Sequence, residues 1–89
     1  MAWTIEYVET ARKQLRKLDR QIAKRILDFM DERVAVLDDP RTLGAALSGP
    51  QLGDFWKFRV GDYRIITDIQ DKQIRILVLR VGNRREVYR

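Results

Sequence analysis

The 89-residue sequence contains neither cysteine nor histidine. The absence of cysteine excludes disulfide bonds and thiolate metal sites, and it is typical of a cytoplasmic protein. The absence of histidine removes the commonest general acid–base group and the commonest metal ligand. Because the acidic residues form no obvious metal-binding cluster either, we expect no metal ion and no cofactor. Any catalysis must use Lys, Arg, Tyr, Asp or Glu side chains.

Long apolar runs are also missing. No segment approaches the roughly 20 apolar residues that a membrane-spanning helix needs. The start "MAWTIEYVE" lacks the basic and apolar stretches of a secretion signal, so we expect a cytoplasmic protein with no membrane partner. With 45% apolar and 35% charged residues, the composition is typical of a globular chain. Its length allows one core, and residues 1–89 are predicted to form a single domain.

Acidic residues are scarce in the second half of the chain. Residues 1–44 contain nine Lys or Arg and eight Asp or Glu, whereas residues 45–89 contain nine and five. Most of the net charge of +5 therefore lies in the second half. A cationic region favours a phosphate-rich or acidic partner, although many domains without such partners are equally basic.

The first half predicts one strand and two helices. Apolar and polar residues alternate over residues 3–7, which is typical of a short strand. A first helix is predicted to begin at Glu9 or Thr10, and Asp19 is predicted to cap a second helix that ends before Pro40. The predicted apolar stripes are Ala11, Leu15 and Leu18 in the first helix, and Ile22, Ile26, Phe29, Met30, Arg33 and Leu37 in the second, with Leu27 and Val34 at the margin of the second stripe. The charged outer faces are typical of solvated helices, with nucleic-acid binding as the alternative.

The second half predicts a loop followed by three strands. Residues 41–53 read as a loop with one helical turn near 43–47, and the strands are predicted over 55–60, 63–69 and 73–81. The order β-α-α-β-β-β predicts an α+β fold, in which a two-helix hairpin packs on one face of a small, largely antiparallel sheet.

A tight turn at Gly61-Asp62 would determine how the first two of these strands pair. In that register Arg59 lies directly opposite Arg64, and Lys57 projects from the same surface. Like charges in opposed positions destabilise a sheet by some tenths of a kcal/mol. A second turn at Asp71-Lys72 is predicted to give the pairs Asp68–Arg75, Ile66–Leu77 and Arg64–Leu79. The residues predicted to face the helices are Trp56, Phe58, Val60, Tyr63, Ile65, Ile69, Ile74, Ile76 and Val78.

Two interpretations of the cationic surface follow. The cations could be ordinary solvated side chains paired with nearby acids such as Asp54, Asp62 and Glu86. Alternatively, they form a site for an external anion, strengthened by an apolar floor of Ile66, Leu77 and Leu79. The tail follows the last strand and could bring Arg84, Arg85 and Tyr88 to this surface. The concentration of cations on one face favours the anion site.

The segments "LSGP", "FWKFRVGDYRII" and "LRVGNRREVYR", behind a strand and a helical hairpin, resemble the RelE toxins of bacterial type II toxin–antitoxin pairs, within the RelE/ParE superfamily. The likeness extends over nearly the whole chain, and "RVGDYRI" and "RREVY" are its most specific parts. It implies a metal-independent ribonuclease that cleaves messenger RNA in the ribosomal A site. It also implies a RelB-like antitoxin that binds the toxin in a hetero-oligomer.

The resemblance implies a catalytic set of Lys57, Arg59, Arg64, Arg84 and Tyr88, and RNA binding by Lys57, Arg59, Arg64 and Arg85. In this scheme the RNA 2′-hydroxyl attacks the scissile phosphate, and the guanidinium groups of Arg59 and Arg64 stabilise the developing charge. Tyr88 acts as the base with help from Lys57, while Arg84 stabilises the leaving group. Many relatives carry histidine where this chain has Asn83, so any activity that depends on that histidine would be altered.

Two other functions are compatible with the same resemblance. A ParE-like toxin would inhibit DNA gyrase through protein contacts and cleave nothing. A non-catalytic homologue would bind only RNA or the antitoxin. The basic and tyrosine set favours the nuclease over the ParE-like toxin, and the non-catalytic homologue stays open as an alternative.

Overall fold

The computed structural model describes residues 2–47 and 55–83. The elements in chain order are β1 (Thr4–Tyr7), α1 (Glu9–Lys17), α2 (Arg20–Phe29), β2 (Ala45–Ala46), β3 (Phe55–Val60), β4 (Tyr63–Gln70) and β5 (Arg75–Asn83). The strands lie in the order β1-β5-β4-β3-β2. β1 is parallel to β5 and the other neighbours are antiparallel, so the predicted α+β fold is confirmed. No helix in the described part of the chain is long and apolar enough to cross a bilayer.

The two helices cover one face of the sheet through the apolar residues that the sequence predicted. Ala11, Leu15 and Ile26 are buried in the core, and Leu18 and Ile22 pack at its margin. The strands contribute a continuous apolar layer, whose members are Trp56, Phe58, Val60, Tyr63, Ile65, Ile69, Ile76, Val78 and Val81. This face of the sheet holds the molecule together, since burying each large side chain contributes roughly 1.5–3 kcal/mol.

Local capping determines where the second helix begins and ends. Asp19 accepts a hydrogen bond from the Gln21 amide at 2.8 Å, which confirms the predicted N-cap. After Phe29 the helix continues as a π-helical turn, Met30–Val34, in which the Ala35 amide donates to the Met30 carbonyl.

The π-helical turn explains why Arg33 was wrongly predicted to lie on the apolar stripe of the second helix. Arg33 is exposed, whereas its neighbour Val34 is fully buried. In the π-helical turn the hydrogen bond joins residues five apart instead of four. The end of the helix is therefore rotated relative to an ideal α-helix, and Val34 and Ala35 face the core.

The hairpin of β3 and β4 has the predicted register. Gly61 adopts a positive φ of 58°, as a tight turn requires. Arg59 pairs with Arg64, and Lys57 pairs with Ile66. All side chains on these two strands therefore project from the faces that the sequence predicted.

The register of β4 and β5 differs from the prediction. Asp68 pairs with Leu77 rather than Arg75, and Arg64 pairs with Gly82 rather than Leu79. The connection is a longer 3₁₀ turn, Asp71–Gln73, followed by Ile74 in a left-handed conformation at φ 49°. Ile74 therefore belongs to the turn and not to the apolar face predicted for it.

A register shift further along the same pair of strands has a second effect. The shift lies between Ile66 and Thr67, and it sets Ile66 opposite Arg80 rather than the predicted Leu77. An inserted residue of this kind reverses the alternation of side chains beyond it. Val81 consequently faces the core, where it is 2% exposed.

The predicted helical turn near residues 43–47 was also wrong. The 3₁₀ turn lies earlier, at Pro40–Thr42, where the Leu43 amide donates to the Pro40 carbonyl. Ala45–Ala46 forms strand β2, whose residues pair with Trp56 and Lys57. The chance to complete the edge of a sheet outweighs the weak helical preference of this short segment.

The Arg41 side chain binds the segment before β2 to two other parts of the sheet. The two terminal nitrogens of Arg41 donate to the two carboxylate oxygens of Asp71 at 3.1 and 2.7 Å. Arg41 also donates to Asp39 at 3.3 Å, and its guanidinium carbon lies 5.7 Å from the centre of the Trp56 ring. We call these contacts the Arg41 clamp. They join the segment before β2 to β3 and to the β4–β5 turn.

The clamp predicts a specific loss of stability in acid. Hydrogen bonds from Arg41 hold the pKa of Asp71 below its ordinary value of 3.8. A depressed carboxylate pKa stabilises the folded state above the unfolded-state pKa, and this stabilisation is lost as pH falls through the folded-state value. Asp71→Asn should therefore melt at a lower temperature than the parent protein near neutral pH, and the difference should disappear as the pH falls below 3.8.

Thermal unfolding followed by circular dichroism across this pH range measures the effect. Asp62→Asn is the control, because Asp62 is exposed and forms no ion pair with any residue in the two described ranges. A melting difference for Asp71→Asn that stays constant down to the lowest pH would show that the clamp does not depend on this carboxylate's charge.

Candidate functional site

Three cationic side chains meet at one pocket beside the β3–β4 hairpin. Lys57 and Arg59 come from β3, and Arg64 comes from the opposing position on β4. The pocket has a volume of ≈ 270 Å³. Its remaining lining residues are Leu43, Gly44, Ala45 and Phe58. The antiparallel register therefore concentrates positive charge on the face of the sheet opposite the helices.

The three cations differ in their exposure to solvent. Arg59 is exposed and Lys57 is half-buried, whereas Arg64 is only 9% exposed. The Nη1 atom of Arg64 is completely buried and has no hydrogen-bond partner within residues 2–47 and 55–83. A buried polar group left without a partner costs about 1–3 kcal/mol, and more if it is charged. This arrangement destabilises the protein unless an external acceptor binds.

The protein's own carboxylates do not neutralise these cations within residues 2–47 and 55–83. No ion pair or side-chain hydrogen bond joins Lys57, Arg59 or Arg64 to a described acidic residue. Of the acids considered as partners from the sequence, Asp62 lies at the hairpin turn without such a contact. Asp54 and Glu86 lie outside the described residues.

Arg75, the first residue of β5, differs from Arg64 because its guanidinium group contacts other side chains of the protein. Its Nε donates to Gln70 at 2.6 Å, and one terminal nitrogen lies 3.5 Å from a Glu6 carboxylate oxygen. A guanidinium at that end of the sheet is therefore paired internally, whereas Arg64 is not. The same sheet therefore pairs one guanidinium group internally and leaves the buried Arg64 without a partner among the described residues.

The only other described buried side-chain atom without a partner is the Tyr7 hydroxyl. Burial, and secondarily the charge of Asp31, raise the pKa of Tyr7 well above its ordinary value. Tyr7 therefore remains a neutral phenol and carries no charge that needs an ion. A guanidinium group is a cationic hydrogen-bond donor, so the partner that Arg64 lacks would be an anion.

The sequence did not reveal the wall of the pocket that lies before β3. Gly44 approaches β3 so closely that a Cβ there would lie 3.1 Å from the Phe58 ring and 3.2 Å from the Lys57 carbonyl oxygen. The sequence showed only a glycine among small apolar residues. The role of Gly44 as a pocket wall depends on its approach to β3, which the sequence alone does not show. Arg25 was missed as well. Its Nη1 would lie 3.5 Å from a Cβ at Gly61, so it adds positive charge at the hairpin tip.

The remaining predicted site residues fall in the tail. Arg84, Arg85 and Tyr88 lie outside the described residues, and their roles remain predictions. Asn83, the residue before them, ends β5. It lies beside the hairpin because its partner in β4 is Tyr63, the first residue after the turn.

A family model described as the ParE toxin of the type II toxin–antitoxin system parDE matches residues 5–88 of the chain. That match includes both helices, the pocket and all of the five described strands except Thr4, the first residue of β1. The chain belongs to the RelE/ParE superfamily of type II toxins.

Individual members of the RelE/ParE superfamily agree with this assignment. Toxin RelG from Mycobacterium tuberculosis is 30% identical over 89 residues, which cover 100% of this chain and 99% of RelG. A chain of the RelBE2 toxin–antitoxin complex from Mycobacterium tuberculosis superposes with a TM-score of 0.85 at 27% identity, covering 94% of this chain and 93% of that one. A chain of the Escherichia coli RelBE complex gives a TM-score of 0.69 at 25% identity, with 92% and 96% covered.

The unpaired Arg64 predicts that a simple divalent anion stabilises this toxin-family fold. Sulfate should raise the melting temperature of the parent protein, because a ligand that binds only the folded state stabilises it by RT ln(1 + [L]/Kd). Arg64→Met keeps the apolar stem but removes the charge, so it should abolish most of the sulfate response. In the absence of sulfate it should raise the free energy of unfolding by about 1 kcal/mol, because the buried unpaired group and the opposed charge are gone.

Arg75→Met is the matched control, since it removes a guanidinium of the same sheet that already has internal partners. It should keep the sulfate response and lose stability. An equal sulfate response in both variants would mean that sulfate acts generally and not through the pocket. Calorimetric melts at constant ionic strength measure the comparison.

Proposed function

We propose that this toxin is a ribosome-dependent messenger RNA endoribonuclease that inhibits translation. The observation that carries the proposal is the buried Arg64 nitrogen without an acceptor, in a pocket shared with Lys57 and Arg59. A phosphodiester of RNA supplies the missing acceptor, and guanidinium groups bind phosphate oxygens through paired donors. The toxin would act in the cytoplasm, where its substrate is translated.

The reaction needs no nucleophile from the protein, because RNA carries its own. The 2′-hydroxyl attacks the adjacent phosphorus and the bond to the 5′-oxygen breaks, which leaves a cyclic phosphate on one fragment. Arg64 and Arg59 stabilise the additional negative charge on the phosphate oxygens during attack. Arg64 is the better placed of the two, since a low-dielectric position strengthens its interaction with that charge.

Proton transfer is assigned to residues at the edge of the pocket and in the tail. Tyr88 removes the proton from the 2′-hydroxyl with help from Lys57, and Arg84 stabilises the leaving 5′-oxygen, which takes its proton from solvent. Arg85 contributes to RNA binding together with the pocket cations. These roles rest on the likeness of "RREVY" to RelE toxins, so they require a direct test. The ribosome would align the message, and free RNA should be a poor substrate.

Mapping transcript ends on ribosomes after induction tests the proposal. The parent toxin should produce new ends within translated codons. Arg64→Ala should lower the single-turnover cleavage rate on programmed ribosomes by about 10²-fold or more, since removing one charge-stabilising donor costs that much in other enzymes. Tyr88→Phe should lower it by a comparable factor, because a general base contributes typically 10²–10⁴-fold.

Arg75→Ala provides the control for loss of a sheet arginine outside the pocket. Each variant's fold is checked by thermal melting and by binding to the cognate antitoxin. Folded Arg64→Ala and Tyr88→Phe proteins that both cleave at the parent rate would refute the nuclease assignment.

A ParE-like gyrase inhibitor is the second candidate, because the matching family model carries the ParE description. The unpaired pocket cations favour the nuclease, since protein contacts with gyrase give no reason to bury Arg64 without a partner. After induction, incorporation of labelled amino acids should fall before plasmid supercoiling changes. If supercoiling fails first while transcripts stay intact, the second candidate replaces the first. Loss of neither process, together with tight antitoxin binding, would indicate a non-catalytic homologue.

A RelB-like antitoxin is the expected protein partner, in a toxin–antitoxin hetero-oligomer. Two of the structural relatives are chains of RelBE complexes. The cationic pocket offers an acidic segment of such an antitoxin the same unpaired donors that it offers RNA. Antitoxin and message would then compete, which explains inhibition without any change of fold.

A further inference from the structure

We propose that Arg41 and Asp71 are positioning residues for the pocket, although neither touches it; this inference rests on the proposed nuclease function. The Arg41 clamp fixes the segment that begins at Pro40, and the same segment supplies the pocket wall at Leu43, Gly44 and Ala45, starting two residues after Arg41. The clamp thereby determines how far this wall stands from the cations.

Apart from the clamp, the segment is held among the described residues by the buried side chains of Pro40 and Leu47 and by a short edge strand. On its far side the segment is held by β2, whose two residues are both exposed and pair only with Lys57 and Trp56. The Leu47 amide adds one hydrogen bond to the Phe55 carbonyl at 3.0 Å. So short an edge strand contributes little stability by itself. The clamp adds a bidentate polar contact before the wall to these attachments.

The geometry of the clamp suits this task. Its two parallel N–H···O bonds restrict both distance and orientation, which a single lysine contact cannot do. The stack on Trp56 anchors the same guanidinium to the strand that carries Lys57. The clamp thus fixes the position of the segment before the wall relative to both β3 and the β4–β5 turn.

The wall tolerates little displacement. Gly44 lies so close to β3 that even a methyl group would meet the Phe58 ring at 3.1 Å and the Lys57 carbonyl at 3.2 Å. Movement of the wall therefore changes the shape of the pocket and the surroundings of the Lys57 backbone. A displacement of about 1 Å in a reacting group can reduce a rate by 10²-fold.

The experiment compares Arg41→Lys, Asp71→Asn and the double variant with the parent toxin on programmed ribosomes. Arg41→Lys retains the charge but loses the bidentate contact. Each single variant should lower the saturating single-turnover rate about tenfold, while the ribosome concentration that gives half the maximal rate stays unchanged. The double variant should be no slower than the singles, because both substitutions break one contact. Asp71→Glu should restore most of the rate, since it restores the carboxylate.

Lys24→Met serves as the matched control. It breaks another exposed ion pair, to Asp28 at 2.6 Å on α2, remote from the wall. Amide hydrogen exchange provides a reading that does not depend on cleavage. The Leu47 amide should exchange faster in the Arg41 and Asp71 variants and at the parent rate in Lys24→Met, whereas the core strands β4 and β5 should be unaffected in all of them.

The results separate failure of this inference from failure of the proposed function. If Arg64→Ala abolishes cleavage but the Arg41 and Asp71 variants cleave at the parent rate, the positioning role is wrong and the nuclease remains. The role is also wrong if their rates fall without faster exchange at Leu47, or if the two substitutions act additively. If Arg64→Ala itself cleaves normally, the pocket is not the catalytic site and both conclusions fall.

Discussion

Antiparallel pairing of β3 with β4 around Gly61 places Arg59 and Arg64 directly opposite each other. The alternation of side chains then adds Lys57 to the same surface. This register opposes two positive charges and buries one guanidinium nitrogen without an acceptor. Sheet pairing thus creates a local electrostatic cost that the protein's described carboxylates do not relieve.

The opposite face of the sheet offsets that cost. Both helices pack on it through buried aliphatic residues, and Phe58 and Ile65 are almost wholly inaccessible to solvent. Because the core side chains and the three cations project from different faces of the same strands, the stability gained on one face offsets the cost of the charges on the other. Such separation is typical of proteins that maintain a binding site at the expense of stability.

The sequence predicted the parts of the structure that local geometry controls. A glycine turn of minimum length fixed the pairing of Arg59 with Arg64, and the apolar spacing fixed the faces of both helices. The β4–β5 register escaped prediction, because it depends on Ile74 adopting a left-handed conformation that β-branched residues rarely take. The burial of Arg64, the close approach of Gly44 and the Arg41–Asp71 contact depend on segments far apart in the chain. No periodicity or spacing encodes such contacts.

We propose that an RNA phosphate is the partner that Arg64 lacks among the described residues. A crystal structure of the toxin with a short RNA that carries one 2′-deoxy nucleotide, and so cannot be cleaved there, is the sharpest test. We expect a phosphate oxygen at about 3 Å from the Arg64 Nη1 atom, within hydrogen-bond distance. A carboxylate of the protein itself, such as that of Asp54 or Glu86, found in that position with the RNA bound elsewhere would contradict it.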